Sequence, residues 1–178
     1  MRFWIAAVGI VCVVAQAQAQ AQEREPLHFS KLIEYLPGPD SIAGFTAAKP
    51  KGSTTSGMGM KVTVVSVDLA AQSDPQQTIQ VQITDGAPTQ YATIAYSMLG
   101  KFSKETTEGY EKAVEIDGFK AIEKYEYASK QGTLTAVVYT LLVQIDTLGL
   151  PPEMLQSTFK VLQPQSLPKP APAPAVTP

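Results

Sequence analysis

Asp117-Gly118, set between the runs Ala113 to Ile116 and Phe119 to Tyr127, narrows the available folds more than any other feature of this chain. A type I′ turn needs φ > 0 at both central positions, and Asp-Gly meets that demand, so the flanking runs read as an antiparallel hairpin. Other runs have the period of strands. Ile79, Val81 and Ile83 alternate with Gln80, Gln82 and Thr84, as in a strand with one wet face. Lys61 to Leu69 is rich in β-branched residues, but its alternation slips at Val64-Val65, implying either cover on both faces or a bulge. Gln72-Ser73-Asp74-Pro75 suits a hairpin loop between these two strands. Thr133 to Asp146 is long enough for one long strand or two short ones, and no turn residue inside it decides between them.

Helical spacing occurs in three places. Phe29, Leu32, Ile33 and Leu36 form a first short helix, begun near His28 or Ser30 and stopped by Pro37-Gly38-Pro39. Tyr91, Ile94, Ala95 and Met98 form a stripe opened by Pro88 and closed by Gly100. Pro151-Pro152-Glu153 opens a last helix carrying Leu155, Phe159 and Leu162, with acid at its start and Lys160 near its end, as the helix dipole prefers. Lys49 to Gly59, built mainly of Pro, Gly, Ser and Thr with no apolar period, reads as a loop. The expected class is therefore α+β: a mainly antiparallel sheet of five to six strands flanked by helices, in the order α-β-β-α-β-β-β-(β)-α.

The two ends differ from the middle. Arg2, the apolar run Phe3 to Val14 and the repeats Ala15-Gln16-Ala17-Gln18-Ala19-Gln20-Ala21 have the order of a cleavable signal peptide over residues 1–21. The apolar run falls well short of the roughly 20 residues that span a bilayer. Cys12 is the sole cysteine and lies inside that run, with Val11 where a lipoprotein signal needs a small residue. Cleavage would leave no cysteine, and with it no disulfide and no thiolate chemistry. A single domain is expected over 27–162, and a disordered Pro/Ala-rich tail over 163–178. The destination implied is the periplasm or the exterior.

Few residues carry chemistry. A net charge of −2 supplies no footprint for nucleic acid, and no membrane association is expected once the signal is removed. The absence of Asn excludes N-glycosylation. Gly52-Ser53-Thr54-Thr55-Ser56-Gly57-Met58-Gly59 imitates a phosphate loop, but Met58 stands where that motif needs Lys, and the segment precedes a strand. His28 is the single histidine and has no cysteine or second histidine to complete a metal site; a surface or capping role is expected. No Gly-x-Ser-x-Gly elbow exists, and no cofactor or catalytic residue is assigned. Lys101, Lys104, Glu105, Glu108, Glu111 and Lys112 read as a solvated mixed-charge surface.

Glu123 stands out. Phe119, Ala121, Glu123, Tyr125 and Tyr127 share one strand face, which sets a carboxylate among apolar and aromatic neighbours. Glu123, Tyr125 and Tyr127 are therefore the candidate binding residues, as a ligand-anchoring acid flanked by tyrosines. The alternative is a glutamate satisfied by a nearby loop or lysine.

The run Ile79 to Asp85, followed by a helix and then by Tyr110-Glu111-Lys112 through Ile116-Asp117-Gly118-Phe119-Lys120-Ala121-Ile122-Glu123-Lys124-Tyr125, resembles small bacterial exported domains. The order of elements over about Leu27 to Leu162 is similar to the Mog1/PsbP-like fold. That resemblance implies a sheet sandwiched by helices and a scaffold for binding or assembly. The expected function is a non-enzymatic envelope module that takes an envelope protein or a small ligand. Its rivals are a histidine-independent hydrolase using carboxylates or serine, and a passive envelope component. If the leader is removed as its repeats imply, N-terminal sequencing of the exported protein will begin between Gln18 and Gln22; an uncut Met1 would overturn the reading.

Overall fold

The computed structural model describes residues 25–57, 60–86 and 102–169, and in it the alternating runs pair as one antiparallel sheet. The strands are β1 (Phe45–Ala47), β2 (Lys51–Gly57), β3 (Met60–Ala71), β4 (Thr78–Gly86), β5 (Ser103–Glu105), β6 (Gly109–Ile116), β7 (Phe119–Glu126), β8 (Gln131–Val138) and β9 (Leu141–Leu148). Their order across the sheet is β1-β3-β4-β9-β8-β7-β6-β5, with β2 alongside β1 on the outer edge of β3. Two α-helices are described, α1 (Phe29–Leu32), continued by a 3-10 turn over Ile33–Tyr35, and α2 (Glu153–Val161). The helix expected over Pro88 to Met98 lies outside the described residues.

Nine strands replace the expected five to six. The largest correction concerns the loop expected over Lys49 to Gly59: Lys51 to Gly57 is a strand that pairs residue by residue with Ser66 to Met60. A Ser/Thr/Gly segment has no apolar period to announce a strand, yet the exposed backbone of β3 supplies a ladder to any neighbouring chain. A Cβ built on Gly52 would stand 3.0 Å from Phe29 Cβ, so the missing side chain lets Phe29 pack over the strand. Thr133 to Asp146 resolves into two strands, with Val138 paired to Leu141. The turn there rests on Tyr139 at φ 56°, a left-handed conformation uncommon for a bulky residue. Phe119 meets its ring edge-on at 5.3 Å.

Other expectations hold. Asp117 and Gly118 have φ 52° and 84°, both positive as the type I′ turn demands. The slip at Val64-Val65 is no bulge, since β3 and β4 stay in continuous register. Val65 faces the core, while Val64 is half-buried on the opposite side.

Strand alternation puts Val65, Val67, Leu69, Ile79, Val81, Ile83, Leu134, Ala136, Val143 and Ile145 on one inner face, all essentially without solvent exposure. Leu32 of α1 and Leu155 and Phe159 of α2 close the same face. Gly132 makes room for α2, because a Cβ there would meet Leu155 Cδ1 and Thr147 Oγ1 at 2.8 Å. The opposite face carries Gln80, Gln82, Gln144 and Asp146; Gln80 donates to Asp68 at 2.7 Å, and Thr133 and Gln144 each donate to Asp146 at 2.8 Å. The Asp68 carboxyl lies below the usual carboxylate range because Gln80, then Lys51, donates to it.

Both ends of the domain are tied down. Leu27 N–H donates to the buried Asp85 carboxylate at 2.9 Å. Part of the segment expected as a tail from Gln163 packs on the domain: Pro164 and Leu167 are buried against the core through a short 3-10 turn, Pro164–Ser166. Phe159→Ala should lower unfolding free energy by about 3–5 kcal/mol, as cavity-forming truncations of buried aromatics do; urea denaturation measures it, and a loss below about 1 kcal/mol would show that α2 is not packed as described.

Candidate functional site

The two-residue turn at Asp117-Gly118 sets the register of β6 against β7, and that register assembles the site. Ile116 opposes Phe119, so Lys112 falls opposite Glu123 and Tyr110 opposite Tyr125. All four belong to the inner face at the end of the sheet where α2 begins. Glu123 is 2 % exposed. Tyr110 donates its hydroxyl to Glu123 Oε1 at 2.5 Å, Lys112 Nζ lies 3.2 Å from the same oxygen, and Gln156 of α2 donates to Oε2 at 2.6 Å. Both carboxylate oxygens are thus engaged by protein donors, which offsets the cost of taking the acid out of water. Lys112 also sits 4.4 Å from the centre of the Tyr110 ring, a cation–π contact.

Around this core stand three tyrosines. Tyr110 and Tyr125 stack with centroids 6.0 Å apart, and Tyr127 leans against both at 6.2 and 6.0 Å. Tyr125 donates to the Leu150 carbonyl at 2.8 Å, tying β7 to the segment before α2. Tyr127 is 43 % exposed and donates to Glu105 at 3.3 Å. Burial, and then the neighbouring Glu123 carboxylate, push the Tyr110 phenol well above its ordinary range. Burial, then Glu153, raises Tyr125.

Beside these rings an open cleft of about 590 Å³ runs along the ends of β5, β6 and β7. Tyr110 and Tyr125 line it, together with Lys104, Glu108, Glu111, Lys124 and Glu126. One wall is a hydrogen-bonded turn. The Thr106 hydroxyl accepts from the N–H groups of Glu108 and Gly109 and donates to the Gly109 carbonyl, while Tyr127 N–H donates to the Glu108 carbonyl at 2.9 Å. Gly109 is pressed so close to β7 that a Cβ would lie 2.1 Å from the Tyr125 carbonyl oxygen. Lys104 opposes Glu111 on β5 and β6, and Glu111 opposes Lys124 on β7, so the wall alternates in charge. Lys124 and Glu126 pair loosely at 3.7 Å.

Of the residues singled out from sequence, Tyr125 lines the cleft and Tyr127 stands on the aromatic cluster next to it. Glu123 lies behind Tyr110 and is not part of the lining. The three are brought together, with the acid as a satisfied internal group rather than a side chain open to a ligand. Tyr110, Lys112 and Gln156 were not among the candidates, although counting outward from the Asp117-Gly118 turn would have set the first two opposite Tyr125 and Glu123. No sequence signal brings Gln156 to them, because only the docking of α2 does so. Lys104, Glu108 and Glu111, read as solvated surface, form the cleft wall. His28 caps α1, accepting from Ser30 N–H, as expected. Among the described residues no three His, Cys, Asp or Glu side chains converge as metal ligands, and no helix is long and apolar enough to cross a membrane.

The raised Tyr110 pKa has a definite consequence for stability. The folded chain holds the phenolic proton more tightly than the unfolded chain, whose tyrosines ionise near pH 10. Its contribution is therefore complete below about pH 10 and is lost as pH climbs toward the folded-state value. Tyr110→Phe should cost about 1–3 kcal/mol near neutrality, by leaving Glu123 short of a donor. It should also flatten the loss of stability between about pH 9 and pH 11. Urea titrations at the two pH values test both, and equal slopes for the two proteins would refute the assignment. No family model, no curated protein and no solved structure matches this chain.

Proposed function

We propose that the protein is an exported, non-enzymatic binding module of the cell envelope, periplasmic or secreted, whose ligand site is the tyrosine-lined cleft at the β5–β6–β7 end of the sheet. The observation that carries the reading is a cleft of about 590 Å³ lined by Tyr110 and Tyr125 together with Lys104 of β5, Glu111 of β6 and Glu108 of the turn between them. None of these three charged side chains forms a salt bridge within the described residues, so ammonium and carboxylate groups remain free to meet a ligand. A small polar ligand with both hydrogen-bond donors and acceptors and one apolar face fits that mixture.

The hydrolase reading asks Glu123 to act on a bound molecule. With both oxygens engaged and Glu123 not among the residues that line the cleft, that role has no observation in its favour. The passive-component reading leaves the cleft unexplained. A scaffold of the Mog1/PsbP-like kind stays part of the proposal on the order of elements in the sequence; that resemblance implies helices on both sides of the sheet, whereas the two described helices cover one face.

The test is to purify the exported protein from its own envelope and identify the molecules that co-purify by native mass spectrometry. A small polar ligand is expected, bound at least about tenfold more weakly by Lys104→Ala/Glu111→Ala; Lys104 is exposed and Glu111 half-buried, neither forms a salt bridge among the described residues, and the pair should change stability by less than about 1 kcal/mol. A protein that emerges empty, or binding indifferent to that double substitution, would sink the proposal. Release of a chemically altered ligand would move the case to the hydrolase.

A further inference from the structure

The two edges of the sheet are built differently. At one, β5 is three residues long, Ser103-Lys104-Glu105, short and charged in the manner that keeps edge strands from pairing. At the other, β2 runs for seven residues, Lys51-Gly52-Ser53-Thr54-Thr55-Ser56-Gly57, with no proline and one charge. Every residue in it but Thr54 is exposed. The single charge is already neutralised, since Lys51 Nζ lies 2.9 Å from Asp68 on the neighbouring strand. An antiparallel strand turns about half of its N–H and C=O groups away from its partner. Those of β2 receive no hydrogen bond from any other described segment.

The strand is also held ready. Thr54 Oγ1 accepts from Phe29 N–H at 3.2 Å and contacts Thr63 Oγ1 at 2.9 Å, while Phe29 lies over Gly52. The inner side of β2 is thereby fixed to α1 and β3, leaving only the outward ladder unused. Fixing a recognition strand beforehand removes much of the ordering cost of pairing it.

We propose that β2 is a self-pairing edge: two copies of this chain join through an antiparallel β2–β2 ladder about a two-fold axis at Thr54. In that register Ser53 opposes Thr55, Gly52 opposes Ser56 and Lys51 opposes Gly57 of the second copy. The arrangement is self-complementary, as a two-fold contact requires. It sets small hydroxyl-bearing residues against one another and keeps the two Lys51 side chains at opposite ends, about 20 Å apart at the rise of an antiparallel strand. At that distance their repulsion is largely screened at physiological salt. A seven-residue ladder of small side chains buries less than the roughly 1,200 Å² of a standard interface, so the dimer is reversible and depends on concentration. The proposal uses no residue of the ligand cleft, so either can fail without the other.

The test measures oligomeric state for the full exported chain by sedimentation and native mass spectrometry, from about 1 μM to about 1 mM. The wild type should pass from monomer to dimer across that range. Ser53→Lys/Thr55→Lys and Ser53→Glu/Thr55→Glu set like charges opposite one another, and each should weaken self-association at least about tenfold. An equimolar mixture should recover a one-to-one heterodimer, because Lys then opposes Glu at both positions. Amide exchange in the wild type supplies a reading independent of any variant: Ser53 to Thr55 should become more protected as concentration rises. A wild type that stays monomeric throughout, a Lys/Lys variant that dimerises undiminished, a mixture that fails to pair, or exchange in β2 that ignores concentration would each overturn the proposal.

Discussion

A sheet whose strands all turn the same alternate residues to one side has an apolar face that must be covered, and the rest of this structure answers that demand. Val67, Val81, Ile145 and Leu134 lie in one cross-strand row, and Leu69 and Ile79 begin the next. A one-residue slip in any strand would carry its apolar set to the wet side, so register and burial enforce each other. The cover comes from Leu32 of α1 and from Leu155 and Phe159 of α2. Gly132 permits the close approach of α2, and Gly52 that of Phe29.

The row through Leu134 also contains Glu123 and Lys112, and there the apolar logic is interrupted. The acid is tolerated because three donors converge on it, two from β6 and one from α2. Such an arrangement fixes where α2 begins as much as it stabilises the sheet, since Gln156 and the Leu150 carbonyl are both held by residues of the β6–β7 hairpin. Tyr110 and Tyr125, whose rings gather beside Glu123, are also among the residues that line the cleft. Site and core are therefore two faces of one hairpin.

Much of the architecture was legible from local pattern. The Asp117-Gly118 turn, the wet-faced strand through Ile79 and Ile83, the His28 cap and the last helix all follow from conformational preference and period. The strands that escaped notice lack those marks for identifiable reasons. β2 is a strand because β3 offers it a ladder and Phe29 lies upon it, neither of which its Ser/Thr/Gly sequence encodes. The turn at Tyr139 carries no turn residue, and the edge-on contact with Phe119 lies across the fold. Pro164 and Leu167 look like the start of a solvated tail until the core provides a place for them.

The sequence by itself determined that alternating runs would pair antiparallel, that the β6–β7 register would set Lys112 against Glu123, and that one acid would fall on an apolar face. These are local properties, carried by turn chemistry and by a side-chain period of two. Tertiary structure alone decided that Glu123 would be enclosed rather than offered to a ligand, because Gln156 reaches it from a helix 33 residues further along the chain. It also decided that Lys104, Glu108 and Glu111 would wall a cleft, and that β2 would stand at an open edge. Each depends on which distant segments pack together, and burial, not local preference, makes that choice.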